Sequence, residues 1–211
     1  MLIYPDSPEA RERAAAHVAR GGVVAFRTDT FYGLGADPFN AEALERINAL
    51  KGRDGKPILV LFSDVDGLMR LAAGFQTRCS EALAISLWPG PLTLVMAALP
   101  VAPELLTAHT GTVGVRLPDD EEVRGFVRAC GGLLTATSAN PAGRPPARTA
   151  EEAARYFPEG SVLVIDGGPA RSELPSTVVD VTRPTPRLVR EGVVTRAVLE
   201  EILSEANREL D

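Results

Sequence analysis

Residues 7–35 read SPEARERAAAHVARGGVVAFRTDTFYGLG, and the changes of pattern within them set the fold class. Ser7-Pro8-Glu9 is a helix start. It offers a hydroxyl to cap free N–H groups, a proline where no N–H is needed, and an acid at the positive end of the dipole. The spacing predicts a helix to about Arg20 that stops at Gly21-Gly22. Residues 23–27 (VVAFR) then read as a strand, and Thr28 to Gly33 as a polar loop leaving it. Ligand sites of α/β proteins tend to lie where strands end in this way.

The alternation continues outward from this stretch. Asn40 caps a helix with Leu44, Ile47 and Leu50 on one face. Residues 57–62 (PILVLF) read as a buried strand and 64–73 as a short helix. A helix over 76–88 ends at Trp88-Pro89-Gly90, and residues 92–99, 112–117 and 133–137 read as strands, with a helix over 119–130. SANPAGRPPAR, residues 138–148, is too rich in proline and glycine for regular structure. Thr149 to Glu152 reads as a capping box opening a helix to about Phe157. SVLVI, STVVDV and RLVR are strands, and a last helix begins at about Thr195. Helices and strands interleave without a strict repeat. The expected fold is therefore α/β, one domain over residues 1–211 with a twisted, mostly mixed or antiparallel sheet flanked by helices.

Composition narrows the functional classes. With 45% hydrophobic and 24% charged residues the chain is an ordinary globular protein, and its net charge of −6 ranks extended nucleic-acid binding low. Cys79 and Cys130 are far apart, which fits a reduced chain, and with only His17 and His109 beside them no structural zinc site is expected. No stretch has the apolar length of a signal peptide or membrane span, so the expected location is the cytoplasm. Walker, dinucleotide-binding and nucleophile-elbow motifs do not occur.

Lys51 and Lys56 are the only two lysines, both in LKGRDGKP at residues 50–57. A flexible ammonium does what a planar guanidinium does not. Other polar residues sit at strand ends: Thr30, Arg116, Ser138, Asn140, Ser176 and Arg190. Taken singly they read as structural, with Asp29 capping a turn, Arg116 in a surface ion pair and Asn140 in an Asx turn. Together they supply what an anionic polyphosphate needs: charge-assisted donors, hydroxyls, and glycines that allow close backbone approach. No acid–base pair stands out, which favours catalysis by positioning and charge stabilisation.

Six motifs stand in order: TDTFYGLGAD, KGRDGKPILV, TVGVRLP, TSANPAGRPPARTAEE, STVVDVT and LVREG. On these the chain resembles the YrdC family from about Ala16 to Val194, with a terminal helix over about 195–210. The best-known members of that family are threonylcarbamoyl-AMP synthases. The resemblance implies an α/β domain around a basic cleft, and a nucleotidyltransferase that makes threonylcarbamoyl-adenylate and pyrophosphate from L-threonine, bicarbonate or CO2, and ATP. Magnesium normally accompanies the nucleotide, and a partner complex passes the threonylcarbamoyl group to tRNA.

Carried over to this chain, the resemblance places Lys51 and Arg53 on the ATP phosphates as the catalytic cations. Lys56, Thr112, Ser138, Asn140 and Arg190 complete the ATP side, and Thr30, Arg116, Ala136 and Ser176 the threonine side. Four departures stand out. Arg27 replaces a usual proline before T-D-T, the K-x-R segment lacks a proline and is one residue short, and Glu191 replaces another proline. Leu61 stands where some members place a threonine-contacting histidine. The second domain of longer members is not expected. A non-synthase paralogue and an RNA-binding module are the rival readings.

Overall fold

A computed structural model describes residues 2–52 and 55–208, so Arg53 lies outside the described residues. β1 (Ile3–Pro5) leads into α1 (Pro8–Ala19), where the Ser7 hydroxyl accepts from the Ala10 N–H at 3.2 Å. Gly21, at φ 76°, ends the turn in the left-handed region. β2 (Val24–Arg27) follows, and the segment read as a polar loop turns straight back as β3 (Tyr32–Gly35), antiparallel to it. Two glycines disguise β3 as a loop. A Cβ at Gly35 would lie 2.8 Å from both Phe26 and Leu134, so this strand passes too close to its neighbours to carry a side chain there.

α2 (Ala41–Lys51) is capped by Asn40 Oδ1, which accepts from the Ala43 N–H at 3.0 Å. β4 (Val60–Phe62), α3 (Val65–Met69), α4 (Arg78–Leu87) and β5 (Leu92–Ala97) are each shorter than the stretch that announced them. A single turn, α5 (Glu104–Thr107), precedes β6 (Thr112–Arg116) and α6 (Glu121–Ala129). The run LLTAT divides into β7 (Leu133–Thr135) and β8 (Thr137–Ser138). α7 (Ala150–Tyr156) starts at Thr149, whose hydroxyl accepts from the Glu152 N–H at 3.2 Å. The reciprocal arm differs from a capping box, because Glu152 Oε2 accepts from the Arg148 N–H at 2.7 Å. β9 (Leu163–Asp166), β10 (Thr177–Asp180), β11 (Arg187–Arg190) and α8 (Arg196–Arg208) follow.

The described strands form two mixed sheets. One runs β1-β9-β2-β3-β8 and the other β11-β10-β5-β6-β4-β7. Ala136 is the crossover, since β7 pairs with β4 in one sheet and β8 with β3 in the other. Alternation along the strands feeds two cores. Ala25, Val60, Phe62 and Leu133 join one cluster with α2, whereas Val24, Phe26, Leu61 and Leu134 join another against α1 and α6. Strands buried on both faces read as unbroken apolar runs, which is why these segments were legible in sequence.

Candidate active site

Between the two sheets lies a cavity of about 680 Å³, a volume suited to a small-molecule substrate. The cross-strand partners Val95 and Gly114 line it from the second sheet, with Thr112 and Arg116 of β6 on the same face. The first sheet contributes Thr30 and Gly33, the crossover Ala136 and Ser138, and the far side Ser176 and Arg190. Six motifs scattered along the chain thus supply one concave surface, apart from the lysine turn. Of the expected residues, Thr30, Thr112, Arg116, Ala136, Ser138, Ser176 and Arg190 all line it. Lys51, Lys56 and Asn140 do not.

Two guanidinium groups dominate the electrostatics. Arg116 is buried and forms an ion pair with Asp29 at 2.9 Å, with both side chains 3% exposed. Distance and direction disagree in this pair: neither Asp29 oxygen receives an aligned hydrogen bond, and Arg116 Nε is also unmatched. Arg116 Nη2 reaches the Thr30 hydroxyl only at 3.5 Å. Burial pushes the Arg116 pKa down, with Asp29 opposing it, and pushes the Asp29 carboxyl up, with Arg116 opposing that. Arg190 donates to the Ser176 carbonyl at 2.7 Å and has no carboxylate within 4 Å among the described residues. Its pKa is lowered first by burial and then by the charge of Arg116. Two like charges sharing a partly dry cavity favour an anion between them.

The sequence reading of Arg116 as a surface ion pair is therefore corrected: its partner is buried, because β6 is an inner strand of its sheet. Lys51 lies behind the Ser138 loop and does not line the cavity. Its ammonium turns inward, donating to the Ser138 carbonyl at 2.5 Å and the Asn140 carbonyl at 2.8 Å, with the Ser138 hydroxyl at 3.5 Å. Asn140 spends its own amide on the carbonyls of Pro141 and Arg144, at 3.0 and 2.6 Å. Lys51 and Asn140 thus shape the loop that presents Ser138. Lys56 is exposed.

Hydroxyl groups are ordered by their own bonds. Thr28 Oγ1 donates to the Phe31 carbonyl at 2.6 Å, which leaves Thr30 as the donor in their 3.2 Å contact. Ser176 meets Thr93 at 2.9 Å. Thr177 donates to the Val194 carbonyl at 2.5 Å and accepts from the Gly192 and Val194 N–H groups at 3.0 Å, tying down the segment after Arg190. That segment also needs Gly192, where a Cβ would lie 2.1 Å from the Pro175 carbonyl oxygen. Leu61 is buried in the core with α1 and α6 and contributes nothing to the cavity. Sequence reasoning missed Thr93, although a hydroxyl at an alternate position of an apolar strand was a usable signal. It also passed over Asp29 as a turn residue. The described lining holds no histidine, cysteine, aspartate or glutamate.

The site is an arginine-bearing cleft between two mixed sheets of an α/β fold, with hydroxyl groups set among apolar side chains. Residues 16–192 match the family described as telomere recombination, Sua5/YciO/YrdC, and the chain belongs to that family. It is 38% identical over 177 residues to the threonylcarbamoyl-AMP synthase of Thiobacillus denitrificans, covering 82% of this chain and 94% of that protein. It is 35% identical over 193 residues to the threonylcarbamoyl-AMP synthase of Pyrococcus abyssi, covering 91% of this chain. The match spans only 56% of that longer relative. The crystal structure of P. abyssi Sua5 complexed with L-threonine superposes with a TM-score of 0.88 at 33% identity, over 97% of this chain and 62% of that one. Among the described residues no helix is long and apolar enough to cross a membrane, and no group of three or more His, Cys, Asp or Glu is placed to hold a metal.

Proposed function

We propose that this chain is a threonylcarbamoyl-AMP synthase, a nucleotidyltransferase acting on L-threonine, bicarbonate or CO2, and ATP. The observation that carries the reading is the pair of guanidiniums, Arg116 and Arg190, facing one cavity whose described lining has no carboxylate. Arg116 takes the threonine carboxylate in a charge-assisted contact, with the Thr30 and Ser176 hydroxyls beside it. Arg190, Thr112 and Ser138 take the ATP phosphates. Lys51, 3.5 Å from the Ser138 hydroxyl, adds positive charge from beneath, Lys56 adds its own from the exposed segment after α2, and the family resemblance assigns Arg53 to the same phosphates.

The chemistry needs little proton shuttling. The threonine amine adds to CO2 and loses a proton to solvent, or condenses with bicarbonate and releases water, and the product is a carbamate. A carbamate oxygen then bonds to the α-phosphorus as the bond to pyrophosphate breaks. Charge gathers on phosphate oxygens, where fixed cations in a partly dry site stabilise it. A magnesium ion would be held by the phosphates, because the described lining offers it hydroxyls and no carboxylate. The adenylate is then consumed by a partner complex that modifies tRNA.

Pyrophosphate release with each substrate omitted in turn tests the reading. The expected result is release only when threonine, bicarbonate and ATP are all present, with threonylcarbamoyl-AMP as the product. ATP turnover indifferent to threonine would overturn it.

A further inference from the structure

Asp29 is the group that this mechanism leaves without a task. It is 3% exposed in its side chain, its close charge partner among the described residues is Arg116 at 2.9 Å, and neither oxygen receives an aligned hydrogen bond from another described residue, its own backbone N–H being the further group that favours its charge. An unsatisfied buried carboxylate costs more than the contact returns unless something else uses it. The other charges that reach it are both acidic. Asp119 and Asp120 lie just past β6, and both oppose its ionisation. Asp120 is itself occupied by Arg27 and Arg171, at 2.7 and 3.1 Å. Arg116 in turn lowers the pKa of Arg190, and both guanidiniums line the cavity.

We propose that Asp29 is the counter-ion of the amino-acid-binding arginine, and that it takes up a proton from solvent when a substrate carboxylate docks on Arg116. The inference rests on the functional reading above. Asp29 holds Arg116 charged in a dry site, with the Arg116 Nη2 at 3.5 Å from the Thr30 hydroxyl. An incoming carboxylate competes for the same guanidinium, and two carboxylates against one arginine cannot both stay ionised at low cost. The one that yields is the one with fewer groups favouring its charge. The substrate has Arg116 with the Thr30 and Ser176 hydroxyls beside it, whereas Asp29 has Arg116 and its own backbone N–H. Burial already pushes the Asp29 carboxyl upward, with Arg116 opposing and the two neighbouring aspartates assisting. Asp29 is thus a positioning residue that makes the affinity for the amino acid depend on pH while touching no reacting atom.

The test is calorimetric titration of L-threonine into the intact protein in buffers of different ionisation heat, for wild type and Asp29→Asn. The asparagine keeps the shape and removes the proton site. The expected result is net proton uptake in the wild type, on the order of half a proton, with affinity weakening about threefold per pH unit above neutrality. Asp29→Asn should bind with no such uptake and a flat pH dependence, while ATP binding keeps its wild-type pH dependence. Equal proton uptake in both proteins, or none in either, would overturn the role of Asp29 and leave the functional reading standing. No threonine binding by folded wild type, with or without an ATP analogue, would overturn both. If Asp29→Asn does not fold, Asp29→Ser replaces it; wild-type proton uptake in a protein with no carboxyl at this position would overturn the proposal.

Discussion

Two buried arginine–aspartate pairs, Arg27–Asp120 and Arg116–Asp29, are built from the same groups and do different things. Asp120 caps α6, its Oδ1 accepting from the N–H groups of Glu122 and Val123 at 3.0 and 3.4 Å. Its Oδ2 lies 2.7 Å from Arg27 and 3.1 Å from Arg171, although neither guanidinium is aligned on it. Burial pushes the Asp120 carboxyl up, but Arg27, Arg171 and the backbone N–H groups outweigh that, and it sits below the ordinary value of 3.8. Asp29 has one cation and no aligned donor, and its carboxyl sits above that value. The first pair holds the fold together. In the second, Arg116 also lines the cavity.

The comparison breaks first at Arg116. Arg116→Ala should lower threonine-dependent turnover by about 100-fold, the value of one charge-assisted contact near 3 kcal/mol, while ATP affinity changes little. Steady-state kinetics with each substrate varied in turn would check this. Arg190→Ala should invert the pattern, with the larger loss on the ATP side.

Asp120→Ala should act on stability instead. Removing one partner of a buried pair costs about 3–5 kcal/mol, read as a lower urea midpoint, with threonine affinity of the folded fraction within about twofold of wild type. The sign with pH follows from the depressed carboxyl. Its contribution is present above the unfolded value near 3.8 and lost as pH falls through the lower folded value. Asp120→Asn should therefore flatten the acid limb of a stability curve below about pH 4.

Lys51→Met is a smaller and mixed effect. It leaves the Ser138 and Asn140 carbonyls without their ammonium donor, costing about 1–3 kcal/mol, and should weaken ATP more than threonine. Equal losses for both substrates would show that Lys51 serves only the loop. Lys56→Ala should be mildest, with unchanged stability and at most a few-fold rise in the KM for ATP, because the side chain is exposed.

How much of this was legible follows from the physics of each residue. Ser7, Asn40 and Thr149 announced their helices because capping is local, and each does accept from the expected N–H. The division of LLTAT between two sheets was not legible, because an apolar run carries no mark of which neighbour each residue pairs with. β3 was hidden by Gly33 and Gly35, which read as loop residues until the close packing around them is seen. The cavity residues from Thr30 to Arg190 were legible as a set from motif order. The inward turn of Lys51 was not, since an ammonium serves carbonyls or phosphates equally well. Asp29 looked like a turn residue because its defining property, a lack of aligned donors, exists only in three dimensions.

Equilibrium binding of L-threonine to wild type, Arg116→Ala and Asp120→Ala tests the central claim most directly. The prediction is saturable binding by wild type, near-equal binding by folded Asp120→Ala, and a loss of about 100-fold in Arg116→Ala. Wild-type threonine affinity in a folded Arg116→Ala protein would contradict the account.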